Sequence, residues 1–335
     1  MAVYRRSWCD PLTIINLCRD SVPNYLDELS RFHPGWPSFY LLFSPFNQLK
    51  NIKLEIVFVV LLAILFTLLR YRLHRQSKKW MVDWRVYPHY SHKLPECIWK
   101  LGYYGLAWAF SVYVHFFTNV NTFHDPLSMW EGWKKDSLVA DAPTCEFNIL
   151  IIYGTQTAFY VHSIYATLFM DQWRSDSWVM FIHHFIAIIL LVLSYMDNYT
   201  LAGAQLLLLQ DSSDAALEIT KLCVYLKRRE DGRYYRWLDK TANGVLYSFA
   251  LMWVVFRLWL YTTKLMYGAI YGGTILGPRD SLAFPTLGIL LLSILILNLF
   301  WFNFIVRMVV RVWRTGEEPE DNREYDTPSE QKKRR

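Results

Sequence analysis

The chain is short of charge, cysteine and glycine-rich motifs. Charged residues make up 19% of its 335 positions while 53% are hydrophobic, the reverse of the balance that keeps a polypeptide disordered. Five cysteines form no CxxC or CxxH pair, so neither a disulfide scaffold nor a zinc site can be read, and the redox compartment stays open. No glycine-rich phosphate loop and no internal repeat occur. No cleavable signal peptide is visible either, since Arg5 and Arg6 run into Cys9, Asp10 and Pro11 instead of a long apolar stretch. The first membrane span is therefore expected to do the targeting.

What is present is apolar and aromatic, with 15 Trp, 22 Tyr and 21 Phe. Residues 54–69 and 282–306 are nearly free of charge and about as long as the ~20 residues that cross hydrocarbon. Residues 97–117, 147–170, 178–195 and 244–263 are mainly apolar but carry Lys100, His115, His162, His183, His184 and Arg257. A further stretch, 201–226, begins apolar and then gathers Gln210, Asp211, Asp214, Glu218 and Lys221. Only residues 196–200 separate it from the span before, which leaves room for a tight re-entry. The expected fold is an all-α polytopic membrane bundle of about seven transmembrane helices.

The net charge of +6 does not point to nucleic acid, because the positive residues lie in blocks beside apolar runs rather than along one soluble face. Seven lie between spans one and two, Arg174 between three and four, six between five and six, and eight from Arg307 to the end. The opposite side receives Lys134, Lys135, Lys264 and Arg279, with six more in the first 53 residues. The positive-inside rule then puts the N-terminus outside or in the lumen and the C-terminus in the cytosol. On that topology the sequon at Asn198 is lumenal, close to the bilayer. Lys332 and Lys333 resemble the dilysine retrieval signal of endoplasmic reticulum membrane proteins, although a solvated basic end to an acidic tail explains them as simply. Thr327 before Pro328 reads as a phosphorylation site or as plain disordered tail. The implied organisation is an N-terminal lumenal segment 1–53, a first helix with basic linker 54–86, a further membrane domain 87–311, and a cytosolic tail 312–335.

Ionisable groups inside a span cost roughly 2.5 to 3.5 kcal/mol each on insertion scales. A cluster of them needs partners, water or a function. Asp211, Asp214 and Glu218 fall at i, i+3 and i+7 and Gln210 one turn before Asp214, forming one polar stripe, with Glu218 and Lys221 able to neutralise each other. At 1.5 Å per residue, His183 lies roughly 8 Å from the cytosolic end of its helix and Asp214 roughly 20 Å from the end of its own. Shifting the polar end of the fifth span inward would close most of that gap. Such groups can be polar glue between helices. Two histidines facing two aspartates and a glutamate favour chemistry instead, because an imidazole oriented by a carboxylate serves as general base or nucleophile near neutral pH. A metal centre is the weaker competitor, since adjacent histidines cannot both point inward from a straight helix and His115 and His162 are isolated.

The stretch from Trp173 to residue 226 contains the paired histidines, a Ser-Tyr and Asn before the turn, and D-x-x-D-x-x-x-E-x-x-K. It resembles the longevity-assurance motif of ceramide synthases, within a TLC domain expected over about residues 87–311. The short linker after the first span resembles the branch without a homeobox-like insert. The resemblance implies N-acylation of a sphingoid base by a fatty acyl-CoA co-substrate in the endoplasmic reticulum membrane, with no cofactor and no metal. It makes His183 the nucleophile of an acyl-imidazole intermediate and Asp214 its proton-accepting assistant, with His184 and Asp211 retained beside them. Direct attack by the amine with His183 as general base stays open. The family usually has histidine where this chain has Gln210, which can hydrogen-bond but not titrate.

The phosphates of CoA would meet cytosolic cations, Arg174, Lys227, Arg228 and Arg229 being nearest, and topology determination accounts for each of these equally well. The resemblance also implies that the loop at about 267–280 helps select chain length, and that the protein forms dimers with itself or a related synthase. The main alternative is a non-catalytic TLC protein that binds lipid, senses it or assists a translocon, but such a protein would not need an intact His and Asp pair. A receptor would want a charged triplet where Met170, Asp171 and Gln172 stand and a proline within its last span, whereas Pro285 is terminal. A transporter would show inverted repeats and broken helices.

Overall fold

The computed structural model describes residues 53–90, 93–133, 145–277 and 284–316. The expected lumenal segment before Lys53, the cations Lys134, Lys135 and Arg279, Thr327 and the basic end at Lys332 and Lys333 lie outside the described residues. Among the described residues the chain is helical, with two isolated β-bridges, Val86 to Arg229 and Arg228 to Tyr234, and no strand. The long helices are α1 (Lys53–Asp83), α2 (Leu94–Phe117), α3 (Phe147–Phe169), α4 (Ser177–Met196), α5 (Thr200–Leu226), α6 (Arg236–Met252) and α8 (Phe284–Thr315). From Met252 the chain continues without a break as wide π-helical turns over Trp253–Gly272 and ends in the short α7 (Gly273–Leu276). Four of these stretches, Leu54–Asp83, Ser177–Met196, Arg236–Leu276 and Phe284–Thr315, are long and apolar enough to cross a membrane. The architecture is a helical membrane bundle.

Helix α5 is its axis. It packs against α2, α3, α4, α6 and the π-helical segment, and residues 203–213 are buried on every face. A helix enclosed all round belongs at the centre of a bundle. Helix α1, by contrast, touches α3 and α2 along one side and leaves Leu54, Val57, Phe58, Leu61, Ile64 and Leu68 exposed. Helix α8 closes the other flank against the π-helical segment, α4 and α6.

The turn between α4 and α5 explains how two long helices reverse within three residues. Tyr199 N–H donates to the Ser194 carbonyl at 2.7 Å and Asn198 N–H to the Tyr195 carbonyl at 3.2 Å, the paired bonds of a Schellman cap. Asn198 occupies the left-handed position with φ 57°, where asparagine is among the few tolerated non-glycine residues. The sequon asparagine is thus also the helix stop, and Tyr199 and Thr200 after it are buried.

At the far end, residues expected to form a loop from position 267 are helical as far as Leu276. Small residues make this possible. Gly268, Gly272 and Gly273 let the segment Pro126–Trp130 lie directly on the backbone, and a Cβ at Gly268 would meet the Pro126 carbonyl oxygen at 2.7 Å. The Trp130 indole N–H then donates to the Gly268 carbonyl at 2.7 Å.

Candidate active site

All the inter-helix turns after α1, α3 and α5 gather at one end of the bundle, where the bridge from Val86 to Arg229 ties two of them together. From this end a cavity of about 420 Å³ runs inward between α2, α3, α4, α5, the π-helical segment and α8. Helix α5 lines it through Gln210, Asp214, Leu217, Glu218 and Lys221, a spacing of four, three, one and three residues that keeps to one helical face. Following each helix inward, the last residues that reach the cavity include Tyr104 on α2, His184 on α4, Gln210 on α5, Arg257 on the π-helical segment and Trp301 on α8. These form its floor. Beyond it Leu190, Leu206, Leu209, Tyr261 and Ile294 close into an apolar core.

His183 sits at this floor with its ring perpendicular to that of Trp301, centroids 5.3 Å apart at 88°, and near Tyr160 at 6.4 Å. Trp301 is itself fixed, because its indole N–H donates to Asp176 Oδ2 at 2.9 Å, and Asp176 is the residue before α4. The tryptophan therefore braces the imidazole from the helix that bears it. His184 is more buried and approaches Tyr160 with centroids 5.8 Å apart.

Across the floor, an Arg257 amino group donates to Asp214 Oδ1 at 2.6 Å and also to the Gln210 backbone carbonyl. The guanidinium lies 4.1 Å from the centre of the Trp253 ring, close enough for a cation–π contact. Asp214 stays open to the cavity, its side chain 23% exposed against 6% for Arg257. A desolvated carboxylate needs such a partner, since an isolated buried charge is very costly.

Toward the mouth the charges alternate. Arg70 pairs with Asp171, Asp171 with Lys100 at 3.4 Å, Lys100 with Glu96 at 2.6 Å and Glu96 with Arg174 at 3.3 Å. Lys221 closes on Glu218 at 2.8 Å. Four cations thus meet three carboxylates around an entrance cut into an apolar bundle, leaving it positive.

Against this geometry, the model of the TLC domain (TRAM_LAG1_CLN8) matches residues 93–307. Ceramide synthase 1 of Homo sapiens is 39% identical over 246 residues, 73% of this chain and 68% of that protein. Ceramide synthase 1 of Mus musculus is 36% identical over 276 residues, 82% and 76% of the two chains, and Ceramide synthase LOH1 of Arabidopsis thaliana is 31% identical over 237 residues, 69% and 72%. The chain belongs to the TLC-domain ceramide synthase family.

The matched TLC domain carries every wall of the cavity except Arg70, His89, Tyr90 and Met308. Of the residues singled out in the sequence, His183, His184, Gln210, Asp214, Glu218, Lys221 and Arg174 line this one cavity. His183 and Asp214 line the same cavity despite the difference in depth expected from straight helices, and the last turn of α5 packs on Val86, Leu94 and Leu238. Asp211 does not face the cavity. It points to α3, where Gln156 Nε2 donates to Oδ2. Lys227 is fully buried and donates to Asp239 Oδ1 at 2.8 Å, whereas Arg228 lies over Tyr234 and Arg229 donates to the Trp84 carbonyl. None of those three lines the cavity.

Sequence reasoning noted Lys100 and Arg257 as charges inside spans without giving them a place in the site, and it missed Asp176, Tyr104, Tyr160 and Trp301. The signal for the first two was present, since a cation in an apolar span needs a partner. The aromatic members carried none in a chain with so many aromatic residues. Among the described residues no group of three or more His, Cys, Asp or Glu is gathered as a metal site.

Proposed function

We propose that this protein is a sphingoid-base N-acyltransferase of the endoplasmic reticulum membrane that makes ceramide from fatty acyl-CoA through an acyl group carried on His183. The observation that carries this reading is the shared floor on which a braced imidazole and an arginine-held carboxylate meet at the inner end of a positive, membrane-embedded cavity. The relatives named ceramide synthase support the reaction class.

In the first step an imidazole nitrogen of His183 attacks the thioester carbonyl carbon. The carbon–sulfur bond breaks, and the departing thiolate takes the imidazole N–H proton to leave as free CoA. In the second step the sphingoid ammonium gives one proton to Asp214. The resulting amine attacks the acyl-imidazole carbonyl, the carbon–nitrogen bond to His183 breaks, and the second amine proton returns to the ring. Asp214 then releases its proton to the mouth. Splitting one encounter between two lipids into two attacks on an activated carbonyl is the benefit of covalent catalysis. Arg257 holds Oδ1 of Asp214 as a fixed anion and leaves the open side of the carboxylate for the ammonium. The mouth cations Arg70, Lys100, Arg174 and Lys221, all on the cavity wall, receive CoA phosphate. Seven crossings with a cytosolic mouth put the charged coenzyme in water and the acyl chain in the bundle.

The test is amide formation from sphinganine and a panel of acyl-CoAs by the purified full chain, beside His183→Ala and Asp214→Asn. Amide from the unaltered protein, lost in both variants, is expected. A folded, lipid-binding protein that makes no amide with any acyl-CoA would turn the reading to lipid binding or sensing.

A further inference from the structure

Gln210 is 5% exposed, and among the described residues neither Oε1 nor Nε2 of its side chain has a hydrogen-bond partner. Leaving a buried amide unpartnered costs on the order of 1–3 kcal/mol. Where such a group faces a cavity, a bound molecule can supply the missing bond. Gln210 is the innermost α5 residue on the cavity wall, one turn deeper than Asp214, at the level where the polar stripe gives way to Leu209 and Leu206. Its backbone is pinned there, since Arg257 holds the Gln210 carbonyl with the amino group that also binds Asp214.

A fatty acyl group reaching His183 presents one polar atom at that depth, the carbonyl oxygen, with only hydrocarbon beyond it. That oxygen takes up negative charge in both tetrahedral intermediates. We infer that the Gln210 side-chain amide is a catalytic hydrogen-bond donor to the acyl carbonyl oxygen, doing as a neutral group what an oxyanion hole does. The inference rests on the acyl-transfer reading above and deepens it. It gives the glutamine a role in the reaction rather than making it the mark of a lost one. Atoms and protons balance as before, because the Nε2–H bond is lent to the oxygen and never broken.

The fold supplies its own comparison. Gln205, on the same helix, is fully buried with both amide atoms unpartnered among the described residues, but it lines no described cavity. Replacing either glutamine with methionine keeps length and flexibility and deletes the unpartnered polar atoms. Both changes are therefore expected to leave melting temperature level or raised. Gln210→Met is expected to slow amide formation, and formation of the acyl adduct from acyl-CoA alone, by about 10²- to 10³-fold in kcat with KM little changed, the loss seen when one oxyanion donor is removed. Gln205→Met is expected to retain activity. Gln210→His, which restores a ring N–H donor, is expected to retain most of the rate, while Gln210→Glu, an acceptor without a fixed donor, is not.

The assay uses the full chain in nanodiscs with sphinganine and the best acyl-CoA of the panel. Full activity in folded Gln210→Met, or a fall that tracks a lowered melting temperature and also appears in Gln210→His, overturns the role of Gln210 alone. Absence of amide from the unaltered protein overturns the acyl-transfer reading with it.

Discussion

Helices α1 and α5 are inverted relative to each other. The outer helix is the apolar one, with Leu54 83% and Leu61 61% exposed, and the central helix buries Gln205, Gln210, Asp211, Ser212, Ser213 and Glu218. In water this arrangement would fail, because each fully exposed leucine forfeits roughly 1.5–3 kcal/mol of burial. In a bilayer the outer leucines are already in hydrocarbon, and the costly groups are the polar ones, which therefore move inward to find each other. The contrast teaches that in this bundle apolarity sets where a helix may stand, while polarity marks where the work is done. Even α1 follows the rule on its inner face, where Thr67 meets His162 at 2.9 Å and Arg70 pairs with Asp171.

Breaking the centre should cost most. Arg257→Met strands the Asp214 carboxylate and is expected to lower stability by about 3–5 kcal/mol, the usual result of removing one member of a buried pair. Thermal unfolding in nanodiscs checks this, with Arg257→Lys retaining part of the loss. On the outer helix the same size of effect requires adding a charge rather than removing one. Leu61→Arg is expected to cost roughly 2.5–3.5 kcal/mol of insertion, read as a lowered inserted fraction in a translocon assay, with little change in unfolding in detergent. Within α5 the two aspartates should separate. Asp214→Asn loses amide synthesis, whereas Asp211→Asn still accepts the Gln156 hydrogen bond and keeps a measurable rate in the same assay. The smallest effect belongs to Leu61→Ala, expected within about 0.5 kcal/mol of the unaltered protein because it touches no core.

Much of this bundle was legible because hydrocarbon imposes a length on apolar runs. The span expected over 178–195 is the helix Ser177–Met196, and that over 201–226 is Thr200–Leu226. Hydropathy failed where helices leave the apolar zone, so α1 runs on through its arginines to Asp83 and the helix starting at Arg236 continues to Leu276. In the site, the stripe from Gln210 to Lys221 was readable from helical periodicity. Its division was not, because whether Asp211 faces Gln156 or the cavity depends on how α3 packs. Trp301 and Asp176 were invisible for a similar reason, lying 125 positions apart and meeting only through the closure of α8 on α4.

The most direct test of the central claim is intact-mass spectrometry of the full chain incubated with acyl-CoA and no sphingoid base. The account predicts one acyl group added to the protein, absent in His183→Ala and discharged to amide when sphinganine is supplied. Amide synthesis that persists in His183→Ala, or that proceeds at full rate while no acyl-protein forms in a rapid-quench time course, would contradict it.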